Sequence, residues 1–207
     1  MRERIGILGG TFDPPHNAHL LVAKALRQTY GFDRLLLVVA NDPWQKSIAK
    51  RVTAAEDRWA MLEAAVGTLV SIGINAVEAS RIEIERGGPS FTIDTVEQIK
   101  SESTRARGLE PEIGVIVGAD LVAGLSTWER VDELRRLVTL FVIARPGTIT
   151  PSIPNGWEGQ VLEIETLDVS SSTIRSRLMA GIEVDDLVPS EVIRYIKSHG
   201  LYTGTRS

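Results

Sequence analysis

The chain has 207 residues, 23 basic and 27 acidic side chains, a formal charge of −4 at pH 7 and no cysteine. That length suits one domain whose core holds without disulfides or structural metal, and the lack of cysteine excludes a thiolate nucleophile, a zinc finger and a disulfide framework. With 43% hydrophobic and 24% charged residues the composition is that of a soluble globular protein. No run approaches the roughly 18 apolar residues of a membrane span, and the mild acidity argues against a nucleic-acid polymer as partner.

Residues 5–8 are a short apolar run ended by Gly9 and Gly10, and from Asn17 apolar residues recur at Leu20, Leu21, Ala23, Ala25 and Leu26 before Gly31. The pattern is strand, glycine-rich turn, helix. The start therefore reads as a strand and not as a leader peptide, and the expected location is the cytoplasm. Residues 35–40 are almost continuously aliphatic, as suits a parallel strand buried on both faces. A polar loop, 41–46, runs on towards Lys50 and Arg51. Thr53, with Glu56 three positions later, is expected to cap a helix reaching about residue 66.

Residues 72–85 alternate loosely and read as one or two short strands ending at Gly87-Gly88-Pro89. Residues 92–103 form a helix whose apolar face includes Ile93, Val96 and Ile99. A buried strand at 113–117 ends in Gly118-Ala119-Asp120. A charge-rich helix surrounds 131–137, and a strand at 140–144 precedes Arg145-Pro146-Gly147. Residues 148–159, broken by proline and glycine, read as a surface loop; a strand follows at 161–164, then helices at 170–178 and 189–197. Strands alternating with helices imply βαβ units: a doubly wound, Rossmann-like α/β fold with a parallel sheet and helices on both faces. One domain over 1–207 is expected, with about 168–207 as a small C-terminal helical subregion.

Two of the three histidines, His16 and His19, fall in the stretch Gly9-Gly10-Thr11-Phe12-Asp13-Pro14-Pro15-His16-Asn17-Ala18-His19. It leaves the first strand and opens the first helix, where ligands of open α/β sheets bind. Glycines let backbone amides approach a ligand, and a helix N-terminus offers unpaired N–H groups to an anion. Spaced three apart, the two imidazoles share one face of the first turn and can donate to phosphate oxygens. A metal reading lacks both cysteine and a His-Glu-x-x-His pattern. The turn carries neither the dinucleotide fingerprint nor a Walker A loop. A phosphate site of another kind is the reading that survives.

This stretch resembles the signature of the nucleotidyltransferase superfamily, whose histidine motif is His-x-Gly-His, and in particular that of the bacterial nicotinate-nucleotide adenylyltransferases. Asp168-Val169-Ser170-Ser171-Ser172-Thr173-Ile174-Arg175 is similar to the family's second signature. Pro89-Ser90-Phe91-Thr92 with Asp94-Thr95, Gly118-Ala119-Asp120 with Trp128, Arg145-Pro146-Gly147 and the closing residues 195–202 match family landmarks in order. Ala18 stands where the family usually has glycine, and Ser172 where it has threonine; Lys46 keeps its place in a loop that otherwise differs.

The resemblance implies attack by the 5′-phosphate of nicotinate mononucleotide on the α-phosphorus of ATP, giving deamido-NAD and pyrophosphate. Such a nucleophile is already ionised near neutral pH, so catalysis becomes alignment and charge stabilisation. By resemblance, His16, His19, Lys46 and Arg175 are the catalytic residues around the ATP phosphates. Gly9, Gly10, Thr11, Phe12, Ser170, Ser171 and Ser172 complete the ATP site. Thr92 and Trp128 line the pyridine ring, Asp120 lies near the ribose and Arg145 near the mononucleotide phosphate. Mg²⁺ is expected to be bound mainly by nucleotide phosphates and water, with few protein ligands. Two rivals stay open: a pantetheine-phosphate adenylyltransferase, and a nucleotide-binding module without catalysis. The residues leave a homo-oligomer open.

Overall fold

A computed structural model describes residues 2–43, 52–144, 151–165 and 167–204. In chain order it contains β1 (Arg4–Gly10), α1 (Asn17–Thr29), β2 (Arg34–Val39), α2 (Ala55–Ser71), β3 (Val77–Ser80), α3 (Ile82–Arg86), α4 (Thr92–Arg107) and β4 (Glu112–Gly118). A 3-10 helix (Ala119–Thr127), α5 (Val131–Leu137), β5 (Val138–Ala144), β6 (Gly159–Glu163), α6 (Ser171–Met179) and α7 (Ser190–Ser198) follow. The six strands form one sheet in the order β3-β2-β1-β4-β5-β6, parallel throughout, with Ile5 beside Arg34 on one side and Ile113 on the other. This is the doubly wound arrangement the alternation implied, and the strand order reverses direction at β1.

The aliphatic strands divide their side chains by the two-residue period. Leu35, Leu37 and Val39 of β2 join Leu8, Ile116 and Phe141 in the layer under α1, α2, α6 and α7. Leu36 and Val38 join Ile5, Ile7, Val115 and Val142 in the layer under α4 and α5. Helices contribute matching stripes: Leu20, Ala23 and Leu26 from α1, Met61, Leu62, Ala65 and Leu69 from α2, and Val192, Ile193 and Ile196 from α7. At the first layer's centre, Phe32 meets Phe141 edge to face at 5.2 Å. The rings lie over Gly114, where a Cβ would come within 2.7 Å of Phe141 and 2.8 Å of Phe32. The missing side chain makes room for an aromatic pair.

Three local expectations change. Thr53 does not cap α2; Ala54 holds that position. The Thr53 carbonyl accepts from Arg58 at 2.8 Å and its N–H faces Asp13 at 3.4 Å, so the residue joins the start of α2 to the loop after β1. The helix also runs on to Ser71, because Leu69 remains buried beyond the expected end. In 72–85 only Val77–Ser80 is strand, and Ile82–Arg86 is a short helix. Its alternation is misleading because one turn of helix is too short to show a 3.6-residue period. Gly87, at φ 70°, stops it.

Candidate active site

The carboxyl ends of β1, β2, β4 and β5 open into one cavity of about 1230 Å³, beside the point where the strand order reverses. Every expected site residue within the described part lines it: Gly9, Gly10, Thr11, Phe12, His16, His19, Thr92, Asp120, Trp128, Ser170, Ser171, Ser172 and Arg175. Lys46 and Arg145 lie outside the described residues.

His16 is the N-cap of α1, 5% exposed, and its Nδ1 has no hydrogen-bond partner among the described residues. Burial pulls this imidazole down to about 4, so it is neutral at pH 7. The backbone N–H of His16 donates to His19 Nδ1 at 3.1 Å, which gives His19 the place that Glu or Gln holds in a capping box. With Nδ1 of His19 accepting, its ring proton sits on Nε2. The rings stack at 3.7 Å and 22°, and Phe12 meets the edge of His19 at 4.9 Å. A buried imidazole nitrogen such as His16 Nδ1 can donate to a phosphate oxygen when it carries the ring proton.

The glycines divide by task. A Cβ at Gly9 would meet nothing within 4 Å, so this position faces the open cavity, whereas one at Gly10 would strike the Phe12 ring at 2.9 Å. Phe12 itself is 2% exposed and has φ 50°. Its side chain belongs to the core, and its backbone is what it presents to the cavity. Ala18 is 8% exposed and also packs into that core. At Gly118, a Cβ would collide with the Asp120 carboxylate, which folds back over the end of β4.

The second signature closes the opposite wall. Ser170 Oγ caps α6, accepting from the Thr173 N–H at 3.1 Å, while Ser171 Oγ donates to the Pro14 carbonyl at 2.9 Å. Arg175 donates from Nη1 to the Asp13 carbonyl at 2.6 Å and from Nη2 to Ser172 Oγ at 3.3 Å. This arrangement brings a guanidinium from residue 175 against the loop that carries His16. On the far side, the half-buried Trp128 ends the 3-10 helix and packs on the α4 layer. Thr92 begins α4. Among the described residues, no three His, Asp or Glu side chains group so as to hold a metal ion.

Three residues without an assigned role in the sequence reading hold this frame. Arg58 is 1% exposed and donates to four carbonyls: Thr53 at 2.8 Å, Thr11 at 3.0 Å, Ala40 at 2.6 Å and Asn41 at 3.0 Å. It thereby ties the loop after β1 to the loop after β2. Asn41 continues the tie, its N–H donating to Ser90 Oγ at 2.8 Å and its amide to the Gly88 carbonyl at 2.9 Å, just before Thr92. Asp13, 3% exposed, accepts from the Tyr202 hydroxyl at 2.6 Å. Arg58 could have been noticed as a charge on the apolar stripe with Met61, Leu62 and Ala65; the partnership of Asp13 with Tyr202 leaves no mark in the sequence.

Residues 7–177 match the cytidylyltransferase-like family. A probable nicotinate-nucleotide adenylyltransferase of Bacillus pumilus is 38% identical, aligned over 97% of this chain and 98% of its own length. One of Saccharopolyspora erythraea is 37% identical over 98% and 91%. The nicotinic acid mononucleotide adenylyltransferase of Plasmodium falciparum, solved with NaAD, is similar in fold: TM-score 0.79 and 20% identity over 97% of this chain and 98% of that one. The chain belongs to the cytidylyltransferase-like family and, within it, to the nicotinate-nucleotide adenylyltransferases.

Proposed function

We propose that this chain is an adenylyltransferase that joins ATP and nicotinate mononucleotide to give deamido-NAD and pyrophosphate, a step of NAD biosynthesis. The observation that carries the reading is the pairing of His16 and His19 at the start of α1, in one cavity with Thr92 and Trp128. Full-length relationship to nicotinate-nucleotide adenylyltransferases points the same way. The pantetheine-phosphate alternative is not favoured by those relatives.

In this reading the triphosphate of ATP lies over Gly9, Gly10 and the backbone of Thr11 and Phe12. His19 donates through Nε2–H to the oxygens that gain charge as the mononucleotide phosphate attacks the α-phosphorus in line. His16, neutral at pH 7, acts as a hydrogen-bond donor and not as a cation. Arg175, with N–H groups beyond those given to Asp13 and Ser172, holds the outer phosphates together with Lys46. Ser170, Ser171 and Ser172 bring the start of α6 to the same oxygens. At the other end, Thr92 and Trp128 receive the pyridine ring, Asp120 the ribose and Arg145 the mononucleotide phosphate.

Mg²⁺ would enter on the triphosphate and neutralise part of its charge, held by phosphate and water. No described helix is long and apolar enough to cross a membrane, and the reaction is assigned to the cytoplasm. We read residues 1–207 as one catalytic domain, with 168–207 as its C-terminal helical part. Incubation with Mg-ATP and nicotinate mononucleotide should release pyrophosphate; release no greater than without the mononucleotide would refute the reading. Parallel assays with nicotinamide mononucleotide and with phosphopantetheine define the acceptor.

A further inference from the structure

We infer that Tyr202, near the C-terminal end of the chain, is a positioning residue for the phosphate site, acting through Asp13 on Arg175. The inference rests on the reading of Arg175 as a phosphate ligand.

After α7 the chain turns at Gly200 and at Tyr202 itself, both with left-handed φ, 60° and 57°, and Leu201 N–H returns to the Ile196 carbonyl at 3.0 Å. Left-handed backbone is strained for a tyrosine, so the surrounding contacts hold it there. The result is that the phenol reaches across to the loop after β1. Its hydroxyl donates to Asp13 Oδ1 at 2.6 Å, with Met61 Sδ at 4.0 Å. Burial first, and then the Asp13 carboxylate, push the phenol above its ordinary range, so it remains a donor at every working pH.

The consequence lies in what Asp13 is prevented from doing. A buried carboxylate beside a guanidinium normally captures it in a two-bond fork. Here the Tyr202 hydroxyl occupies Oδ1 and the Thr53 N–H faces Oδ2 at 3.4 Å. Arg175 Nη1 consequently stands 3.7 Å from Oδ2 and bonds the Asp13 main-chain carbonyl instead, at 2.6 Å. The guanidinium is anchored by a neutral oxygen and pairs with the carboxylate only at 3.7 Å, without a hydrogen-bonded fork, so its remaining N–H groups stay turned to phosphate. Without the hydroxyl, Oδ1 lacks a donor and Asp13 draws Arg175 into the fork, away from the cavity.

Tyr202→Phe removes one oxygen and keeps the ring. Steady-state kinetics should show KM for ATP raised about fivefold to tenfold, the scale of one ordinary hydrogen bond, with KM for the mononucleotide within twofold. Direct titration with ATP should show the same loss. A residue that only supports the fold would lower the melting temperature and move both constants together or neither. In an Arg175→Met background the Tyr202→Phe effect on KM for ATP should vanish, since the group it positions is gone. An unchanged KM for ATP in Tyr202→Phe, or an equal effect with and without Arg175, overturns the role of Tyr202. If Arg175→Met alone leaves ATP binding unchanged, the phosphate assignment of Arg175 fails first and takes this role with it.

Discussion

Arg58→Met tests whether one buried guanidinium holds the floor of the site. The methionine keeps much of the length and removes every donor. Four carbonyls, of Thr53, Thr11, Ala40 and Asn41, then lose bonds of 2.6 to 3.0 Å in a place that is 1% exposed. Each bond to a charged donor carries about 1.5–3 kcal/mol. Set against them is the cost of burying the cation, visible in the lowered pKa of Arg58, whose main cause is desolvation. The balance resembles that of breaking a buried charged contact, about 3–5 kcal/mol. For a chain of this size that is a fall in Tm of roughly 6–20 °C. Thermal unfolding followed by circular dichroism, with urea titration as a second measure, reads it directly. Arg58→Lys should fall between, because an ammonium has three donors and no fork to span four carbonyls. A loss below about 1 kcal/mol for Arg58→Met, or Lys as damaging as Met, would refute the clamp.

Other outcomes follow from the same geometry. Unfolded, His16 titrates near 6.5, and folded at about 4; between these values the unfolded chain binds more protons, so stability falls as pH falls. The contribution is complete above pH 6.5, and about 2 kcal/mol of it is lost by pH 5; urea midpoints for the native protein and His16→Gln should converge by that amount, and parallel curves would exclude a buried neutral imidazole. Gly114→Ala should cost about 1–3 kcal/mol by overpacking, since Phe32 and Phe141 occupy the space of its Cβ; a neutral result would mean that the ring pair can shift. His19→Ala should cut turnover by about 10² or more, and a change confined to KM would remove it from the transition state.

Local pattern and spacing were enough to reveal much of this protein. The aliphatic run of β2, the glycines after β1 and the apolar stripes of α1 and α7 carry their own periodicity, and together they specify a doubly wound sheet. The His16 and His19 pair is legible for the same reason: three residues on a helix start place two rings on one face whatever lies around them. Motif order extended the reading to Thr92, Asp120, Trp128 and Arg175, which the fold gathers around one cavity.

Tertiary structure decided what depends on distant partners. Thr53 has the local form of a cap, yet α2 takes Ala54 as its N-cap and the Thr53 N–H turns to Asp13, 40 positions away. Residues 82–86 alternate like a strand and fold as a short helix with Ile82 and Glu83 buried, too short to show a helical period. Asp13 reads as a charge in a loop until Tyr202 and Arg175 arrive from 189 and 162 positions away. A sequence displays neighbours along the chain, and hydrophobic faces repeat along it, so the sheet and its ligand edge can be read there. A buried hydrogen bond between remote residues has no period, and only the folded chain reveals which donor reaches which oxygen.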